Sequence, residues 1–322
     1  WQSDIMKLDY VKLIMVENYN TTLNLYRAGE IDWIGINLAL PIEFVPFLRK
    51  YDDFWSYPYL GVYWYWVNSD AEPTDDVRVR RALSLAIDRE SIGKRLFTSG
   101  QVPMGGFIPD GLAGYEQPEF PLFDAERAKA LLAEAGYPGG KGFPPLTLIY
   151  NTAEAHKQLA EALQAQWTDT LGIEVEILNQ EWKVYQKKLQ AMDFQVARMG
   201  WLGDYTDPYT FLEVFSGTSG NNHSNWQSSE YDRLLLELNS TQDRTRRARL
   251  MAEAESLLVE NVPAIPLYVY ARTDLVKPYV SGYWGNLQNR HPFKWMGIRS
   301  EWYDFDAYPN TPKESPDPYV KP

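Results

Sequence analysis

The run Arg198-Met199-Gly200-Trp201-Leu202-Gly203-Asp204-Tyr205-Thr206-Asp207-Pro208 gathers the residue types best suited to holding a ligand. Phe194, Val196 and Arg198 alternate as a strand does, and Gly200 reads as its end. The loop that follows carries a tryptophan and two carboxylates, closed by Pro208 at the start of a helix. Gly200 and Gly203 let backbone N–H and C=O groups approach a ligand, because no Cβ intervenes. Asp204 offers a carboxylate to a cation, and no residue of the run is placed as a nucleophile. Loops at the carboxyl ends of parallel strands are where α/β sheets hold ligands.

Other chemistries find little support. The three histidines, His156, His223 and His291, are far apart and have no metal-ligand spacing. Cysteine is absent, which removes disulfides and thiolate chemistry. No H-E-x-x-H, P-loop or G-x-S-x-G pattern occurs, and Gly139-Gly140-Lys141-Gly142 reads as a turn. Neither a catalytic set, a metal site nor a cofactor is expected. Carboxylate pairs such as Asp204 with Asp207 and Glu253 with Glu255 keep an acidic carbohydrate hydrolase open as an alternative of a different class.

The elements that must position this loop are legible as an alternation of strands and helices. Leu146–Tyr150 reads as a strand, Ala155–Leu171 as a helix with Leu159, Leu163, Trp167 and Leu171 as its apolar stripe, and Gly172 as its stop. Ile173–Ile177 is a second strand, Glu181–Gln190 a second helix and Phe194–Met199 a third strand. That order predicts a parallel α/β sheet with right-handed crossovers. Strands are also predicted at Leu8–Met15, Ile31–Ile34, Tyr57–Val67 and Ile265–Val269. Helices are predicted at Thr21–Ala28, after Asp76, after Asp124, at Ser229–Leu238 and at Arg244–Val259. Pro103–Pro121 reads as a long irregular connection, and the tail from Tyr303 as surface-wrapping or disordered.

The formal net charge of −12 disfavours nucleic acid as a partner. Arg244, Arg246, Arg247 and Arg249 read as a solvated helix face beside Glu253 and Glu255. No apolar run approaches the ~20 residues that span a bilayer, and the start Trp1-Gln2-Ser3-Asp4 is no signal peptide. With 12 Trp and 22 Tyr, the chain holds aromatic surface enough for both a core and a binding cleft.

The loop resembles the ligand loop of the oligopeptide- and dipeptide-binding proteins of bacterial ABC importers, the extracellular solute-binding protein family 5. Asp75-Asp76-Val77-Arg78-Val79-Arg80-Arg81-Ala82-Leu83-Ser84-Leu85-Ala86-Ile87-Asp88-Arg89-Glu90 is close to that family's signature, and Ala264-Ile265-Pro266-Leu267-Tyr268-Val269-Tyr270 also matches. The similarity runs in one register from Leu8 to Gly297. It implies a periplasmic-binding-protein-like two-lobe α/β fold of the class II, peptide-binding type. On that pattern residues 1–68 are the remainder of lobe I, 69–270 are lobe II with a parallel-rich sheet flanked by helices, and 271–322 return to lobe I. The strands near Tyr65–Asn68 and Tyr268–Arg272 serve as the hinge. The chain then corresponds to the carboxy-terminal portion of a longer protein, its first lobe partial and completed by a missing N-terminal segment of the same or a separate chain. Alone it is expected to bind peptide weakly, or not at all unless the missing segment is supplied.

The resemblance further implies a receptor, not an enzyme, periplasmic or lipid-anchored at a bacterial cell surface. It would capture an oligopeptide and deliver it to an ABC permease and its ATPases. Asp204 corresponds to the residue that pairs with the ligand's α-amino group, and the backbone of Gly200 and Leu202 to the strand that pairs with the peptide. His156 stands where a histidine contacts the ligand's carboxyl end. Trp182, Trp201, Asn221 and Tyr270 match positions that line pockets or bond the ligand. Leu189 stands where better-known members have an arginine for the ligand carboxylate, with Lys187 or Lys188 as the substitute. Some members bind oligosaccharides, for which tryptophan platforms are suited, but Asp204 argues for a ligand with an amine. Capture of unfolded segments uses the same strand addition.

Overall fold

The structure, a computed structural model, describes residues 5–16, 18–35, 40, 44–96, 99–112 and 114–299. The elements begin with α1 (Tyr19–Arg27), β1 (Trp33–Ile34), α2 (Val45–Leu48), β2 (Phe54–Val67), α3 (Val77–Leu85) and α4 (Arg89–Leu96). There follow β3 (Val102–Pro103), α5 (Ala125–Glu134), β4 (Leu146–Asn151), α6 (Glu154–Leu171), β5 (Val175–Gln180), α7 (Trp182–Gln190) and β6 (Val196–Leu202). The chain continues through α8 (Tyr209–Leu212), α9 (Ser229–Ser240), α10 (Arg244–Asn261), β7 (Ala264–Val276), β8 (Val280–Ser281) and β9 (Gly297–Ile298). No described helix is long and apolar enough to cross a membrane. The tail from Tyr303 lies outside the described residues.

Packing divides these elements into two compact units, one made of Leu60–Leu96 and Val102–Val269 and the other of the flanking residues. In the former, the strands run β5-β4-β6-β2-β7, with β3 also on β7. β4 pairs in parallel with β5 from Leu146↔Val175 to Asn151↔Gln180, and with β6 at Leu148↔Val196 and Ile149↔Ala197. Parallel neighbours need crossovers, and α6 and α7 supply them. Leu159, Leu163, Trp167 and Leu171 of α6 are buried, and Gly172 ends the helix at φ 70°. Asp76 and Asp124 cap α3 and α5 by accepting the Arg78 and Arg127 amides.

β2 shows why alternation matters. Trp64 and Trp66 pack on one face against Phe215, Trp64 also meeting Phe107. Tyr63 and Tyr65 point to the other face, and both faces are buried. β6 does not stop at Gly200. β2 continues to offer an antiparallel partner through Gly61↔Leu202, and the Gly203 amide donates to the Leu60 carbonyl at 2.8 Å. A ladder of that length outweighs the conformational freedom of one glycine.

The other unit holds α1, capped by Asn18, which accepts the Thr21 amide at 3.0 Å. β1 pairs antiparallel with the end of β7, Trp33↔Val276 and Ile34↔Leu275. Its core is Tyr26, Ile34, Leu40, Val45, Phe54 and Leu275. A second cluster joins Tyr57, Val276, Tyr283 and Met296. The strand predicted at Leu8–Met15 is absent: these residues form no ladder, and Tyr10 and Met15 are 84% and 94% exposed. The segment flanks β1 across a cavity of about 820 Å³ instead of pairing with it. Alternation supplies strand propensity, but a strand exists only where a partner accepts its hydrogen bonds.

Candidate ligand-binding site

The site lies in the unit of β4, β5 and β6, at the carboxyl ends of those strands. Tyr65 and Arg198 are directly opposed across β2 and β6, so their side chains share a face. The next opposed pair on that face is Tyr63 and Gly200. With no side chain at Gly200, the Arg198 guanidinium lies over the Tyr63 ring, 4.7 Å from its centroid. Tyr63 stacks on Tyr268 at 4.9 Å and its hydroxyl meets His156 Nδ1 at 3.1 Å. Arg198 also donates a long hydrogen bond, 3.4 Å, to Asn151 Oδ1 at the end of β4.

Helices close the cluster. His156 sits in the first turn of α6, and burial first, then the Arg198 charge, push its imidazole down to about 3. At neutral pH it is an uncharged donor and acceptor. Tyr185 of α7 donates to the Arg198 carbonyl and stacks on Trp182 at 6.1 Å. Trp182 is 47% exposed, so its ring is a surface platform contiguous with Tyr185. Burial raises the Tyr63, Tyr65 and Tyr185 phenols, which stay protonated.

The edge of β6 is the second component. In an antiparallel ladder alternate residues direct their backbone groups to the neighbour. Gly203 bonds Leu60, so Trp201 and Met199 belong to the set facing β2, while Arg198, Gly200 and Leu202 face the opposite edge. β4 pairs with β6 only up to Ala197, and the Arg198 carbonyl is taken by Tyr185. Beside Gly200 and Leu202 no strand runs among the described residues. Past that edge, the exposed Asp204 closes the loop, its amide bonded to Thr210 Oγ1 at 3.1 Å. The half-buried Trp201 directs its indole N–H toward the same hydroxyl at 3.5 Å.

His156, Trp182, Gly200, Trp201, Leu202 and Asp204 therefore occupy adjoining parts of one unit. Asn221 is exposed in its own turn, its amide donating to Ser219 Oγ at 3.3 Å. Lys188 is engaged elsewhere, its Nζ 2.6 Å from Asp193. Leu189 is buried. Tyr270 is half-buried on β7, in the other unit. Sequence reasoning passed over Arg198, although a cation in an alternating apolar strand was itself a signal. Among the described residues no group of three or more histidines, aspartates or glutamates is arranged to hold a metal.

The chain is 39% identical over 282 residues to the oligopeptide-binding protein OppA of Bacillus subtilis, covering 85% of this chain and 52% of that one. It is 37% identical over 296 residues to the periplasmic oligopeptide-binding protein OppA of Escherichia coli, covering 88% and 53%. The chain thus spans about half the length of the curated relatives it matches. Among solved structures, an oligopeptide-binding protein of Borrelia burgdorferi superposes with TM-score 0.79 at 32% identity, covering 92% of this chain and 60% of that one. OppA of Haemophilus influenzae in complex with the peptide RPPGFSPFR gives TM-score 0.76 at 32% identity, with coverage of 92% and 60%. These structures share the expected periplasmic peptide-binding α/β fold, and the relatives are binding proteins, not enzymes. Residues 1–223 match the middle region of one family, and the chain belongs to it: the bacterial extracellular solute-binding proteins, family 5.

Proposed function

We propose that this chain carries the ligand-binding face of an extracytoplasmic receptor for oligopeptides that serves an ABC permease and its ATPases. The observation that carries the reading is the edge of β6, where Gly200 and Leu202 face away from β2 between a cation, Arg198, and a carboxylate, Asp204. A peptide is a zwitterion with backbone donors and acceptors between its ends. Strand addition along this edge bonds the main chain without reading side chains, Asp204 pairs with the α-amino group, and Arg198 with the carboxylate. Neutral His156 adds a hydrogen bond at the carboxylate end, and the Trp182 platform receives an apolar side chain. Each charge-assisted bond contributes about 1.5–3 kcal/mol. The role is capture without turnover. The reading places the receptor outside the bacterial cytoplasm, periplasmic or lipid-anchored, and the periplasmic relative of Escherichia coli supports the periplasmic case.

The exposed tryptophan favours one second reading, an oligosaccharide stacked on Trp182. Amide and imidazole chemical shifts of the 322-residue chain separate the two. Trialanine should perturb Gly200, Leu202, Asp204 and His156, trialanine blocked at both ends should do so far more weakly, and maltotriose should not. Equal response to blocked trialanine, or response to maltotriose alone, rejects the peptide reading.

A further inference from the structure

The loop that presents Asp204 is held from outside itself. Asp207 caps the turn behind it, its Oδ1 accepting the Tyr209 amide at 2.9 Å while its carbonyl accepts the Thr210 amide at 3.2 Å. The Thr210 side chain, fully buried, then offers one hydroxyl oxygen to both the Asp204 amide and the Trp201 indole. Asp207 is gripped by Arg247 of α10, NH1 to Oδ2 at 2.9 Å and NH2 to Oδ1 at 2.8 Å, a two-pronged pairing over forty residues of chain. Arg247 thus differs from its helix neighbours. Arg246 reaches Glu237 on exposed surface, whereas Arg247 is half-buried and spends both prongs on the loop. The sequence had grouped the two as one solvated face.

We infer that Arg247 is a positioning residue for ligand capture: through Asp207 and Thr210 it fixes where Asp204 and Trp201 stand. The chain of contacts is short and each link has a direction. A planar guanidinium holding both carboxylate oxygens fixes the rotation of Asp207, which a single point charge does not. With Asp207 fixed, Tyr209 and Thr210 have their amides satisfied, and the Thr210 hydroxyl stays under the loop. Gly203 contributes by its lack of a Cβ, which would stand 2.8 Å from Leu60 and 3.1 Å from Thr210 Cγ2. The loop therefore rests directly on the two residues that Arg247 and the β2–β6 ladder hold in place. Tyr209 gains a further tie, its hydroxyl accepting from Asn239 Nδ2 of α9 at 2.6 Å.

This inference rests on the peptide-receptor reading of the same loop, so its test has an arm that needs no ligand. Amide exchange is followed in the 322-residue chain as Arg247→Met, Arg247→Lys, Asp207→Asn and the parent. The segment Gly203–Phe211 is compared with the reference segment Glu154–Gln180. Arg247→Met and Asp207→Asn should speed exchange of Asp204, Tyr209 and Thr210 by about tenfold or more, with the reference segment and the melting temperature unchanged. Arg247→Lys should recover only part of the protection. The same variants should weaken trialanine by a comparable factor. Unchanged loop exchange, or equal acceleration in the reference segment, overturns the inference, as does a loosened loop that binds trialanine as tightly as the parent. Should trialanine bind no version, the parent included, the exchange arm alone decides whether Arg247 positions the loop.

Discussion

Two charges in this molecule are surrounded by tyrosines, and the protein treats them oppositely. Asp274 is fully buried. Its Oδ2 accepts from the Tyr57 hydroxyl at 2.9 Å, from the Tyr283 hydroxyl and from the Trp33 indole at 3.4 Å. Asn289 and His291 stand behind the Tyr57 hydroxyl, and Gly35 leaves no room for a Cβ against the carboxylate. Burial first, then the Asp274 charge, raise both phenols and keep them as donors. Arg198 is only half-buried, lies across a tyrosine ring and borders an open strand edge. A fully buried charge that gathers three donors on one oxygen is a structural hub. One that keeps a face toward an unpaired backbone edge is equipped to meet a ligand.

The contrast breaks first at Asp274. Asp274→Ala removes the acceptor that the Tyr57 and Tyr283 phenols and the Trp33 indole share, and should lower stability by about 3 kcal/mol or more in urea unfolding. A loss below about 1 kcal/mol would show that this cluster is not a hub. Arg198→Met is the counterpart. It should weaken trialanine by about tenfold to a hundredfold while the unfolding midpoint barely moves. Melting as severe as that of Asp274→Ala would place both charges in the same class.

A smaller effect distinguishes the clusters by pH. His156 has its folded value depressed to about 3 from an ordinary 6.5, so folding prefers the neutral ring and the unfolded chain binds the extra proton. Its contribution is therefore complete above pH 6.5 and is lost progressively as pH falls toward 3. His156→Gln should flatten the stability profile over that window, and a His156 ring titrating above pH 5.5 by NMR would contradict its burial against Tyr63. Trp182→Ala is the mildest change. Its half-exposed ring predicts a stability change within about 0.5 kcal/mol, with reduced affinity confined to peptides carrying an aromatic residue.

The β4-α6-β5-α7-β6 succession was legible because each element announces itself locally. Leu159, Leu163, Trp167 and Leu171 recur at helical spacing, and Gly172 supplies the αL stop. What local pattern cannot carry is the partner. Gly200 reads as a breaker until β2, well over a hundred residues earlier, extends the ladder to Leu202. Leu8–Met15 reads as a strand until no neighbour accepts it. The same limit governed the site. Asp204 and the glycines were visible as a motif, whereas Arg198 acquires its meaning only from Tyr63 and the empty side chain at Gly200. The pairing of Arg247 with Asp207 joins positions forty residues apart, beyond any helical or strand period.

The open edge of β6 bears on solubility as well as on recognition. Unpaired strand edges template self-association, and long flat ones seed fibrils. Here the exposed ladder is limited to Gly200 and Leu202, since Tyr185 already occupies the Arg198 carbonyl and Gly203 turns back to Leu60. An incoming strand finds a docking strip too short to propagate from one copy to the next. A segment brief enough to end beside Arg198 and Asp204 loses nothing by that brevity, so the shortness that suits the proposed peptide also denies a stack.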